Sequence, residues 1–356
     1  MAKNEVRIGI IGVGGIACGT HLNGLRGASG CKIVAICDID AEKLKKRGEE
    51  WGIPESLRFT DYKKLVDCDE VDAVEVCTPN YLHPEMAEYA IRAGKPVNVE
   101  KPLGLSVEQC RPMLEAQREC GTPAMVCFSY RFKSSVRYAK KILEEKKIGE
   151  IMGVNVQYFK DSGLWPGRRL EWRFEEQYAG TGVLGDLGVH LIDMVTYLVG
   201  GITEVCGKTE ILVKERKRIG SEEYAPVTTD DSCNFIATLE NGRTANFSIT
   251  RCALGNANTI KFEIYGSEGI LTVDLNTPDM IGVCIGEVDR ECFGLHSVKV
   301  PAKYGLSQEQ TFVNIARGLP VDTHPTLLDG IRCQAILDAI KKSDIEKRTV
   351  AVEKID

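Results

Sequence analysis

The sequence predicts an α/β chain of two domains: a doubly wound parallel sheet first, then an α+β domain with a large, open, mostly antiparallel sheet. Three observations carry this. The chain has 356 residues, more than one ordinary core holds. Apolar runs alternate with amphipathic segments through the first third, as in the strand–helix–strand units that build parallel sheets. From Thr203 to Val300, strand-like runs follow one another without helices between them, as in antiparallel hairpins. The boundaries drawn are 1–128 and 129–356, with the C-terminal helix able to pack back on the first domain.

Strands are expected at Val6–Ile11, Lys32–Cys37, Ala73–Cys77, Val97–Glu100 and Ala124–Cys127. Helical patterns lie between them over Gly15–Arg26, Ala41–Trp51, Pro84–Ala93 and Ser106–Cys120. A basic helix over Ser134–Lys147 then leads to a strand near Glu150–Phe159, a polar aromatic loop, and an apolar helix beginning near Gly182. The run "CNFIATLENGRTANFSITR" reads as a hairpin turning at "ENGR", and "TIKFEIYGSEGILTVDL" reads as another. From Ser307 to Lys342 the pattern is helical again, with Pro320 and Pro325 marking a break.

Composition excludes several classes. A net charge of −6 gives no general attraction to nucleic acid or to anionic membrane surfaces. The N-terminus reads as a first strand rather than a signal peptide, and no apolar stretch is expected to approach the ~20 residues of a membrane span. The 14 cysteines include no C-x-x-C pair, so they are read as small core residues of a cytoplasmic protein.

Four motifs sit at the ends of the early strands. In "GIIGVGGIACG", Gly12, Gly14 and Ala17 fit G-x-G-x-x-A. The first glycine allows a tight turn, the second lets the backbone approach a pyrophosphate, and the small third residue lets the helix pack closely. Gly15 and Ile16 open that helix, whose free N–H groups would face the anion. Asp38 ends the second strand, where a carboxylate accepts hydrogen bonds from the adenosine ribose and repels a 2′-phosphate, so NAD is preferred over NADP. In "CTPNYLH", Thr78 and Asn80 lie on a strand-end loop; His83 is either a ligand-side group or simply part of the first helical turn. In "VNVEKPLG", Glu100 and Lys101 are delivered to a strand end, where the lysine either donates to a substrate oxygen or is a plain surface residue.

The helix "GVLGDLGVHLIDMV" poses a different question. Asp186, His190 and Asp193 would share one stripe of an otherwise apolar helix, and an unpaired buried acid is costly. Its glycines are read as letting a ligand approach the backbone.

Taken in order, the G-x-G-x-x-A turn, "EKP" at 100–102 and "GDLGVH" resemble the Gfo/Idh/MocA family of NAD(P)-dependent oxidoreductases, with "TPNYLH", "YRF" and "EWRFEEQYAGTGVLGD" in support. The resemblance implies an N-terminal Rossmann domain and a C-terminal domain that binds substrate and oligomerises through its open sheet. It places Lys101, Asp186 and His190 at the reacting carbon, and Gly12, Gly14, Asp38, Asn80 and Glu100 around the cofactor. The implied chemistry is hydride transfer between a secondary hydroxyl of a sugar, glycoside or cyclitol and the nicotinamide. Histidine, with an ordinary pKa of ~6.5, suits the role of base; a lysine of depressed pKa is the other candidate. Lys101 would stabilise the developing alkoxide.

Arg131, Trp165, Arg173 and Asp193 are candidate substrate residues. Trp165 and Arg173 lie in "KDSGLWPGRRLEWR", where aromatic faces suit sugar rings and arginines suit hydroxyls or acids. The competing reading makes Trp172 a core anchor and leaves the arginines solvated. Asp193 is left as an orienting residue, a substrate ligand or a structural acid. Two acids and one histidine are too few for a dedicated metal site, and none is expected. A redox-neutral, NAD-using glycosidase and a non-catalytic NAD sensor are the alternative functions.

Overall fold

The computed structural model describes residues 3–292 and 294–356. The chain divides into two compact units. One comprises the chain up to Phe128 together with Leu306–Ile331; the other comprises Ser129–Gly305 with Arg332–Asp356.

The first unit is built on β1 (Val6–Ile11), β2 (Cys31–Cys37), β3 (Arg58–Phe59), β4 (Ala73–Val76), β5 (Val97–Val99) and β6 (Ala124–Val126). These pair in the order β3-β2-β1-β4-β5-β6, every neighbour parallel. That is the strand order of a Rossmann sheet, and it reverses direction between β1 and β4, where such folds bind nucleotides. The apolar runs explain the arrangement: β4, β5 and β6 are buried at every position, as strands covered on both faces must be. The helix Ala41–Trp51 begins where Asp40 accepts the Lys43 N–H and ends on Gly52 at φ +72°, the left-handed position glycine favours.

The helix expected over Gly15–Arg26 is not a single α-helix. It opens with a π-turn, Ala17–His21, and continues as the short α-helix Leu22–Gly27. Two short elements were not anticipated, β3 and the helix Tyr62–Val66 capped by Asp61, because neither is long enough to show a period.

In the second unit, β7 (Ile151–Phe159), β8 (Ile202–Glu210), β11 (Ser232–Leu239), β12 (Thr244–Thr250), β13 (Thr259–Gly266), β14 (Gly269–Asp274), β15 (Met280–Ile285), β16 (His296–Lys299) and β17 (Val350–Ala351) form one sheet. Its order is β16-β15-β14-β13-β7-β12-β11-β8-β17, and only β7 and β12 pair in parallel. The alternating burial along β11 and β13 puts one face in the core and leaves the other open. β9 (Glu215–Lys217) and β10 (Tyr224–Pro226) form a separate ribbon. The helices Ser134–Glu144 and Val189–Val199 pack together in the core of this unit.

Two expectations from composition need correction. The helical stretch Glu176–Val199 is long and apolar enough to cross a membrane, although no such stretch was anticipated; most of its apolar window is buried in the protein, so its apolarity serves the core. Among the described residues the cysteines form no disulfide, but Cys120, Cys206 and Cys292 are exposed rather than core residues.

Candidate active site

In the first unit the candidate residues collect at the carboxyl ends of β1, β4, β5 and β2. Gly12 follows β1 at φ +88° and donates to the Cys37 carbonyl at 2.8 Å. A Cβ on Gly12 would fall 2.7 Å from the Cys77 carbonyl oxygen, so only glycine fits the crossing of these strand ends. Side chains at Gly14 or Gly15 would project into open space, leaving their backbone accessible from that side. Asp38, buried at the end of β2, accepts the Val13 N–H and the Asp40 N–H, each at 3.0 Å. The acid thereby ties the glycine turn to the second strand. Lys43 also reaches it, at 3.2 Å.

Thr78 and Asn80 follow β4, and the buried Thr78 hydroxyl oxygen has no hydrogen-bond partner among the described residues. His83 is buried; one ring nitrogen lies 2.8 Å from the Pro102 carbonyl and the other 2.8 Å from the Thr78 carbonyl. The ring therefore ties the Thr78 loop to the corner after β5. Glu100 and Lys101 occupy that corner, and the Lys101–Pro102 bond is cis. The Lys101 N–H donates to Glu100 Oε2 at 3.2 Å. A glycine turn open to a ligand, a fixed acid at the next strand end and an unpartnered hydroxyl form a donor set that fits a dinucleotide.

The same end of the unit holds a residue that motif reading missed. His21, closing the π-turn, lies between Glu75 and Glu100. Its only signal in the sequence is its place in the helix after the glycine turn.

In the second unit, Asp186 lies in a π-turn, Leu184–Gly188, and His190 and Asp193 lie in the α-helix Val189–Val199 that continues it. The turn is anchored by Asp230, whose carboxylate accepts the Gly182 and Leu184 N–H groups. A Cβ on Gly182 would fall 1.8 Å from the Asp230 carbonyl oxygen, and one on Gly188 would lie 3.1 Å from Ile249 Cδ1. These two glycines therefore admit the protein's own neighbours, where the sequence suggested a ligand.

His190 is buried, with the ring of Tyr130 edge-on to it at 4.7 Å between centroids. The Tyr130 hydroxyl is 2.9 Å from that of Tyr158, which donates to Asn258. Burial, then the neighbouring Tyr130 and Asp186, push the Tyr158 phenol well above its usual range, so it stays protonated. The expected common stripe of Asp186, His190 and Asp193 divides. Asp193 pairs with Arg131, whose Nε lies 2.9 Å from both carboxylate oxygens, and both side chains are buried. Each of these two substrate candidates thus balances the other's charge.

In the aromatic loop, Trp165 is 57% exposed and its indole N–H donates to Asp161, whereas Arg173 stacks on Trp172 at 4.3 Å. The competing reading, in which the loop arginines are solvated, does not describe Arg168. Arg168, with Arg216 and Arg251, surrounds the fully buried ring of Phe174 at 4.2–4.9 Å.

Residues 6–128 match the family model described as an oxidoreductase family with an NAD-binding Rossmann fold, and residues 136–272 match the GFO/IDH/MocA C-terminal domain. Levoglucosan dehydrogenase of Pseudarthrobacter phenanthrenivorans is 30% identical over 352 residues, covering 90% of this chain and 89% of that protein. This chain belongs to the Gfo/Idh/MocA family. Further relatives of this Gfo/Idh/MocA oxidoreductase include the inositol 2-dehydrogenase of Rhizobium meliloti, 24% identical, covering 98% of this chain and 99% of that protein. The D-glucoside 3-dehydrogenase of Escherichia coli is 28% identical over 67% of this chain and 68% of its own length. Among solved structures, a levoglucosan dehydrogenase in complex with NADH and levoglucosan superposes with a TM-score of 0.90 at 29% identity, covering 99% of this chain and all of that one. These relatives are named as dehydrogenases, which favours neither redox-neutral cleavage nor a non-catalytic role.

Proposed function

We propose that this protein is an NAD-dependent dehydrogenase that oxidises a secondary hydroxyl of a sugar, glycoside or cyclitol, the ring C3 hydroxyl of a glycoside among the targets. What supports this reading is a glycine turn that fits a dinucleotide at the strand ends of the first unit, where Lys101 follows β5, together with Asp186 and His190 on a π-turn and helix of the second. Bound NAD supplies the hydride acceptor. His190 takes the hydroxyl proton as hydride leaves the carbon, and Tyr130 holds its ring. Lys101 donates a hydrogen bond to the oxygen as it becomes an alkoxide. Asp186 favours the imidazolium that results or binds a substrate hydroxyl.

Gly12, Gly14, Gly15, Ile16, Asp38, Thr78, Asn80 and Glu100 are assigned to cofactor binding. His83 is assigned to holding the Thr78 loop and the Lys101–Pro102 corner together, on the strength of its two carbonyl contacts. Trp165 and Arg173 are assigned to substrate, while Arg131 and Asp193 steady the helix that carries His190. NAD is preferred because the Asp38 carboxylate repels a 2′-phosphate; the neighbouring Lys43 works in the opposite sense and limits the preference.

The open face of the nine-stranded sheet suits self-association, and the buried thiols of the first unit suit the cytoplasm. The test of the reaction is a panel of cyclitols, free sugars and glycosides assayed for NADH formation, with products identified by mass spectrometry. A two-electron-oxidised product in step with NADH is expected. Aglycone release without net NADH would overturn the proposal.

A further inference from the structure

Beneath the strand ends of the first unit lies a closed set of ionisable groups, of which Glu100 alone is assigned to the cofactor. His21 has no exposed surface. Its Nδ1 lies 2.9 Å from Glu75 Oε2, and its Nε2 lies 2.8 Å from Glu100 Oε1. Asn98 Nδ2 donates to the same Glu75 oxygen at 2.9 Å. Glu75 belongs to β4, Asn98 to β5, and Glu100 to the residue just after β5.

Two carboxylates in one apolar core need compensation, and an imidazole directed at both provides it. A neutral ring carries a single N–H, and Nε2 is the nitrogen aligned with an acceptor, the Glu100 carboxylate. Burial disfavours the imidazolium, but Cys77, Glu75 and Cys127 around it hold the His21 pKa well above its usual value. Burial also pushes the Glu75 carboxyl up, against the pull of His21. Protonated or neutral, the ring donates to Glu100 through Nε2, while Glu75 faces Nδ1 as an ion-pair partner. Glu100 is correspondingly held down to about 2: burial opposes its charge, and the His21 hydrogen bond and charge outweigh burial, with Lys101 and His83 helping.

A metal ion is the rival occupant, since His21, Glu75 and Cys127 could each offer a ligand atom. Zinc bonds of ~2.0–2.2 Å at a tetrahedral centre would hold ligand atoms roughly 3.4 Å apart. The 2.9 Å between Nδ1 and Oε2 is shorter than that spacing, an ion-pair contact that lies outside hydrogen-bond alignment.

The contacts continue towards the reactive lysine. Glu100 Oε2 accepts the Lys101 N–H, and Pro102, on the other side, has its carbonyl held by His83. Buried imidazoles therefore border Lys101 on each side: His21 bonds to Glu100, and His83, which burial keeps neutral, lies against the Pro102 and Thr78 carbonyls with one N–H for the two. We propose that His21 is a positioning residue of this dehydrogenase: steadied by Glu75, it fixes the Glu100 carboxylate and through it the strand end that presents Lys101.

This rests on the reading of Lys101 as a reacting residue, and the test separates the two. ¹⁵N-histidine NMR of the wild-type protein, with His21 assigned by its absence from His21→Gln, should show a ring N–H protected from exchange at alkaline pH and perturbed in Glu75→Gln. A His21 ring that titrates near the ordinary ~6.5, with no protected N–H, would overturn the clamp. In single-turnover assays with protiated and C-deuterated substrate, His21→Gln should slow hydride transfer about 10- to 100-fold, the scale of a misplaced reacting group. Its isotope effect should rise, and because Glu100 is also assigned to the cofactor, NADH affinity by fluorescence should fall by less than the hydride-transfer rate. Glu75→Gln should do the same less severely, and it decides the matter if His21→Gln does not fold. Folded variants with the wild-type hydride-transfer rate and isotope effect would overturn the positioning role alone. A wild-type protein that oxidises nothing in the panel would sink the proposed reaction, leaving the NMR result to decide the clamp.

Discussion

Tyr130 places an aromatic edge against His190 and bonds through its hydroxyl to Tyr158, so the imidazole has a defined orientation inside a buried site. If His190 is the base, His190→Ala should lower kcat by about 10²–10⁴-fold, the usual contribution of a positioned base. NADH affinity, read by fluorescence titration, should barely move; wild-type turnover would remove His190 from that role. Asp38→Ala is expected to weaken NAD binding and narrow the ratio of NADP to NAD dissociation constants. An unchanged ratio would show that Asp38 does not discriminate. At this scale the sequence was most legible where a residue's place follows from its immediate neighbours, as with Gly12, Asp38 and Lys101, each at the end of an expected strand. It was least legible where the partner is distant in the chain. Arg131 and Asp193 are 62 residues apart and His21 and Glu100 are 79 apart, so no local spacing could have paired them.

The element that carries Asp186 depends on a single acid outside it. Asp230 binds the backbone at the start of the π-turn, and Gly182 leaves just enough room for it. Asp230→Ala should cost about 2 kcal/mol of stability, the upper range for loss of an N-terminal cap, as measured by urea unfolding. It should also lower kcat in the molecules that stay folded, because the turn presenting Asp186 loses its anchor. An equal loss of stability with full kcat would confine Asp230 to folding. Most strands and helices were readable because apolar period and length agree, as in β1 and in Ala41–Trp51, whose observed limits match those expected. The π-turns were not readable: the apolar pattern of a helix tolerates one wide turn, and the cause of the widening lies in tertiary contacts. The parallel pairing of β7 with β12 escaped for a related reason, since the strands are far apart in sequence and each reads locally like any other.

At the scale of the molecule, one broad surface remains open. On the uncovered face of the nine-stranded sheet, Ile236 is 53% exposed at the centre of β11, with Cys206 paired opposite it on β8. Ile236→Lys should shift the protein towards monomers in sedimentation velocity if this face joins copies of the chain. An unchanged sedimentation coefficient for an oligomeric wild type would put the interface elsewhere. The two-part organisation was legible from the change of pattern near residue 130. The assignment of Leu306–Ile331 to the first unit was not, because it depends on contacts such as Val126 N–H to the Pro325 carbonyl, made across nearly 200 residues of intervening chain.

The two π-turns also bear on how this chain can change over evolutionary time. Each holds one more residue than an α-helical turn closing over the same contacts, and each contains a residue assigned to the site, His21 or Asp186. Loss of one residue from either turn would let it tighten into ordinary α-helix and rotate one flank against the other by about 100°. His21 would turn off the line joining its two acids, and Asp186 would change face relative to His190. At these two places chain length is therefore constrained as tightly as residue identity. A single-residue deletion there would be more damaging than most substitutions, and an alignment that opens a gap in either turn would misplace the residues that matter.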